Sequence, residues 1–125
     1  MPGTGNTRVV LAKTSAFTVL PEHEGALFTN RGAGGSVTFT MPTATAIPAG
    51  WWCEFYVAAA QAIVVSATSI ISAAGSLTNS SITTTAAAAV IGTKILVVFD
   101  GTTYLATVDS AQATTATSVA SYTIA

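Results

Sequence analysis

Short runs of Val, Ile, Phe, Tyr, Trp and Thr recur along this chain, broken by Gly, Pro, Asn and Asp. That pattern predicts strands. The runs fall at 8–13, 17–20, 26–29, 36–41, 51–59, 62–67, 69–72, 81–84, 94–100, 102–108 and 119–124. No segment has the 3.6-residue period of an amphipathic helix. The one helical candidate is TAAAAVI, residues 85–91. It is rich in alanine, but too short to hold a helix alone, and its Thr and Ile favour extended chain. Many short strands at close spacing predict an all-β domain, a sandwich or jelly-roll-like barrel of short antiparallel strands.

Two segments show how the strands should face. In WWCEFYVAA, residues 51–59, alternation puts Trp51, Cys53, Phe55 and Val57 on one side and Trp52, Glu54, Tyr56 and Ala58 on the other. The first set reads as core. The second is aromatic with a single acid, which suits either a protein interface or a cover by a loop of the same chain. In KILVVFDGTTYLATVD, residues 94–109, Asp100-Gly101 lies between two apolar runs. A two-residue type I′ turn there would pair Phe99 with Thr102, Val97 with Tyr104 and Ile95 with Ala106. The first of these strands is apolar on both sides, which predicts cover on both sides, the second cover being either the opposite sheet or a neighbouring subunit.

The stretch FTNRGAGGSVTFTMP, residues 28–42, tests for an anion-binding loop. Its glycines begin a GxGxxG pattern, but Val37 stands where the last glycine belongs. A strand-forming run follows, so no helix N-terminus is there to hold a phosphate. The stretch reads as strand, glycine-rich turn, strand, with Arg31 at the turn either exposed or paired with a carboxylate.

Composition narrows the class further. The chain has 125 residues, 50% hydrophobic and only 7% charged, against about 25% charged in ordinary soluble domains. The length predicts one domain, 1–125, whose small core would gain from oligomerisation. Residues 1–7 read as an N-terminal arm. Residues 118–125 read as a C-terminal strand or arm that adds to a sheet of its own or a neighbouring chain. No apolar run approaches the roughly 20 residues of a spanning helix, and no cleaved signal peptide is visible. The four basic residues are scattered, which argues against nucleic acid. Cys53 is the sole cysteine and reads as a buried free thiol.

No catalytic set emerges, so no enzyme and no cofactor are expected. His23, between Glu22 and Glu24, falls short of a metal site unless copies share it on a symmetry axis. A solvated turn is the simpler reading.

Three segments carry a resemblance: G-x-x-F-T-N-R-G-A-x-G-x-V-T-F-T-x-P at 25–42, P-A-G-x-W-x-E-F-x-V at 48–57, and K-x-x-x-x-x-D-G-T-x-Y at 94–104. Together they resemble a group of small tailed-bacteriophage virion proteins, which includes capsid decoration (cement) proteins, head fibres and tail-fibre domains. The resemblance implies a β-rich homotrimer on the outer surface of a virion, with the major capsid protein as partner, acting to stabilise the shell. It brings no catalytic residues. Arg31, Trp52, Glu54, Tyr56 and Tyr104 are the candidate interface residues. The alternative is a receptor- or carbohydrate-binding module of a head or tail fibre, with Trp51, Trp52 and Tyr104 as its aromatics.

Overall fold

A computed structural model of the protein describes residues 8–73, 76–84, 91–109 and 122–124. It is all-β. The strands are β1 (Val10–Ala12), β2 (Phe17–Thr18), β3 (Leu27–Thr29), β4 (Val37–Thr40) and β5 (Trp52–Tyr56), then β6 (Ile63–Ala73), β7 (Ser76–Thr84), β8 (Lys94–Phe99), β9 (Tyr104–Asp109) and β10 (Tyr122–Ile124). Single 3-10 turns lie at Pro21–His23 and Ala44–Ala46. The helical candidate at 85–91 and the arm at 1–7 lie outside the described residues, apart from Ile91. Of the C-terminal stretch, Tyr122–Ile124 pairs antiparallel with β7 of the same chain.

Hydrogen bonds link all ten strands, and the ladder divides at β6 into two mixed sheets. The first runs β1-β3-β5-β8-β9 and the second β2-β4-β6-β7-β10. Each has the same plan. Three parallel strands come first, followed by two antiparallel ones. The far end of β6 joins the sheets by pairing parallel with β9. Neither sheet closes into a barrel, and the pairing is not antiparallel throughout as the strand pattern predicted. The reason is the chain path. The first six strands alternate between sheets, so each strand's partner is the one two positions away and runs the same way.

The corner between β3 and β4 shows how that path is held. Gly32 has φ +85°, a left-handed conformation that glycine adopts without strain. The preceding Asn30 is fully buried. Its Oδ1 accepts the backbone N–H groups of Ala58 (2.7 Å) and Ala59 (2.9 Å), and its Nδ2 donates to the carbonyls of Gln61 (3.1 Å) and Ala59 (3.5 Å). One side chain thus fastens the corner after β3 to the corner after its parallel neighbour β5. Strand, turn, strand is the arrangement the sequence predicted, but the two strands belong to different sheets.

Alternation sets the core. Phe28 and Phe55 of the first sheet stack at 5.5 Å between ring centroids. Phe39 of the second meets them at 5.4 and 5.0 Å. All three are fully buried; burying such a ring contributes about 2–3 kcal/mol. Trp51 is buried too, and its Nε1 donates to Pro21 O at 2.8 Å, which meets the need of a buried indole for an acceptor. On the outward side, the second sheet presents Thr38, Thr40, Val64, Ser66, Ser81 and Thr83. Much of the chain's small polar content lies there.

The β8–β9 hairpin departs from the two-residue turn. Phe99 pairs with Tyr104, Val97 with Ala106 and Ile95 with Val108, so four residues, 100–103, form the loop. Asp100 decides this. Its Oδ1 accepts the N–H groups of Thr102 (2.8 Å) and Thr103 (2.7 Å), and its own N–H donates to Thr103 O (3.0 Å). Aspartate bonding to backbone N–H groups two and three residues on competes with the tighter turn. The register moves by two, so every side chain keeps its predicted face.

Candidate interaction face

The outward face of the first sheet gathers most of the singled-out residues. On β5, Trp51, Cys53, Phe55 and Val57 are buried while Trp52, Glu54 and Tyr56 are half-buried, as alternation predicted. Strand register then fixes their neighbours. Trp52 lies beside Val98 and then Leu105; Glu54 lies between Leu27 and Leu96; Tyr56 lies beside Lys94, which is opposite Asp109. Leu96 and Val98 are only half-buried. The described chain therefore covers β8 on its inner side and leaves the other side partly open, the side for which the sequence offered the opposite sheet or a neighbouring subunit as cover.

Glu54 is the electrostatic centre. Its side chain keeps 14% of its surface exposed, its Oε1 is 2.5 Å from Arg8 Nη1, and its Oε2 is 4.0 Å from Lys94 Nζ. A carboxylate this covered needs a cation to offset lost hydration. Arg8 is itself held in place: its Nε donates to Gly25 O at 2.8 Å, and its guanidinium sits 5.1 Å from the Trp52 ring centroid. That stacking adds a cation–π contact. Beside this pair, Glu54, Lys94, Leu96, Thr107 and Asp109 line a shallow hollow of about 210 Å³. Arg8, Lys94, Leu96 and Asp109 were not among the residues singled out from sequence. Only the strand register brings them to Trp52 and Glu54.

Two of the five expected interface residues lie elsewhere. Tyr104 is 1% exposed; its hydroxyl donates to Pro42 O and its ring lies 5.1 Å from that of Phe99. Burial, and secondarily Cys53, push its pKa up to about 12. Arg31 is exposed on the β3–β4 corner, where its backbone N–H donates to Thr29 Oγ1 at 3.3 Å. No carboxylate lies within ion-pair distance of it among the described residues.

Cys53 is fully buried. Burial pushes its thiol far up from the ordinary value, which favours the unreactive thiol over the thiolate. The Nδ1 of His23 accepts the Leu20 N–H at 2.8 Å, and its ring packs 5.5 Å from Phe17 and 5.6 Å from Phe28. It is a turn cap with an aromatic footing. Among the described residues, no three His, Cys, Asp or Glu side chains gather as a metal site would require.

No protein-family model and no curated protein matches this chain.

Proposed function

We propose that the protein is a structural subunit of a bacteriophage virion, binding the outer surface of the capsid as a homotrimer and stabilising the shell. The observation that carries this reading is the outward face of the first sheet. There Trp52, Leu96, Val98 and Leu105 lie beside a preformed Arg8–Glu54 pair. Partly covered aromatic and aliphatic groups around an arginine are the composition of protein interfaces. The bacteriophage and capsid part of the reading comes from the resemblance of the three sequence segments to phage virion proteins. We read the two mixed sheets as the layers of a sandwich, since Phe28 and Phe55 of one meet Phe39 of the other. A shell that binds such a subunit in its assembled state is stabilised by mass action, and three copies of a weak contact add as avidity.

The fibre-tip alternative, a carbohydrate- or receptor-binding module, draws less support. Of its three aromatics, Trp51 and Tyr104 are core residues, and Trp52 carries Arg8 on its ring.

The test is light scattering on the purified protein, followed by binding to capsids that lack it. A trimer that binds and raises the shell's melting temperature is expected. Leu105→Glu, at a position 41% exposed on this face, should abolish binding without lowering the subunit's own unfolding midpoint. A stable monomer with no affinity for capsids overturns the reading.

A further inference from the structure

We propose that the open edge of β1 is a docking strand for an extended, acid-bearing segment of a protein partner. Three observations converge there. Leu27 N–H donates to Val9 O, and Lys13 N–H donates to Thr29 O. Backbone groups of a strand point alternately to its two sides, so residues 9, 11 and 13 turn theirs toward β3. Val10 and Ala12 turn their N–H and C=O groups outward, where β1 has no neighbour in the sheet order among the described residues. An edge of this kind is a ready template for another strand.

The second observation is apolar exposure. Val9 and Val10 are each 58% exposed, the two most exposed large hydrophobics among the described residues. Burying them is a driving force that a solvated edge lacks. The third is charge. Lys13, at the end of β1, sits 4.1 Å from the Phe17 ring centroid and has no carboxylate partner among the described residues. The other cation at this edge, Arg8, is committed to Glu54 and Gly25 O. An incoming strand that places a carboxylate beside Lys13 and apolar side chains beside Val9 and Val10 satisfies all three. Antiparallel addition gives the better hydrogen-bond geometry, so the acid belongs at the N-terminal end of the incoming segment. This docking goes beyond the virion reading and does not rest on it.

The test is titration of the isotope-labelled full chain with the blocked peptide Glu-Val-Thr-Val-Val, followed by amide NMR. The expected result is saturable shifts centred on the outward amides of Val10 and Ala12. Val10→Pro removes an N–H that the sheet does not use among the described residues, and proline is tolerated at such edge positions. It should abolish binding while leaving the thermal midpoint unchanged. If that variant unfolds, Ala12→Pro makes the same test. Lys13→Ala should weaken binding roughly fivefold, the upper worth of an exposed ion pair, and the reversed peptide should bind more weakly than the forward one. Absence of saturable shifts at millimolar peptide, or full binding by a folded proline variant, overturns the docking strand. Unchanged affinity in Lys13→Ala overturns its acid-bearing character.

Discussion

Asn30 and Tyr104 show what single residues do here. Asn30 uses all four hydrogen bonds of its amide to hold two corners together. Asn30→Ala leaves the Ala58 and Ala59 N–H groups without that acceptor, and a buried unsatisfied group costs about 1–3 kcal/mol. A loss on the order of 3 kcal/mol is expected in urea unfolding. Gly34→Ala four residues on should be nearly neutral, because a Cβ there meets nothing and its φ is not left-handed. Tyr104 predicts a pH dependence. The folded chain holds the phenol proton more tightly than the unfolded chain, whose phenol titrates near about 10. Stability from this group is complete below that pH and is lost as pH rises toward about 12. Guanidinium unfolding between these limits should show the decline, and Tyr104→Phe should reduce it. Neither role was legible in sequence. Asn30 looks like an ordinary turn residue, and Tyr104 looks like a hairpin aromatic open to a partner. Burial by residues distant in the chain, at Ala58–Gln61 and Pro42, decides both.

Among the elements, the β8–β9 hairpin gives the clearest case of local chemistry competing. An Asp-Gly pair predicts a two-residue turn, yet the Asp100 side chain captures the Thr102 and Thr103 N–H groups and lengthens it to four. Those two bonds, Thr103 first, hold the Asp100 carboxyl below its ordinary range. Their contribution is present above the unfolded pKa and disappears as pH falls through the folded one. The Thr102 and Thr103 amide shifts should therefore move together in an acid titration, and Asp100→Asn should remove the dependence. Gly101 has φ +101°, so Gly101→Ala should cost about 1–2 kcal/mol in thermal unfolding. β6 and β7 teach a different lesson. The predicted strands at 62–67 and 69–72 are one long strand, with a register irregularity between Ser66 and Ile71. Periodicity shows extended chain but does not show where a ladder slips.

At the level of the whole molecule, the chain threads back and forth between two sheets before its antiparallel strands form. Seven of the nine ladders among the described residues, all but β6–β7 and β8–β9, therefore pair residues far apart in sequence, and loop closure precedes the reward of contact. Refolding in the range of milliseconds to seconds is expected by stopped-flow Trp fluorescence, slow for a chain of this size. Phe39→Ala, which removes the ring that bridges Phe28 and Phe55, should cost about 3–5 kcal/mol. The sequence by itself determined the all-β class, the position of most strands and the inward and outward face of β5 and β8. These depend only on side-chain alternation, which is local. It also removed the anion-loop reading of residues 28–42, since that depends on what immediately follows the glycines. Tertiary structure alone decided which strands pair, in which direction, and that Arg8, Glu54, Lys94 and Trp52 share one surface. Parallel partners are joined through the opposite sheet, so their neighbourhood is set by long-range packing, and no spacing along the chain encodes it.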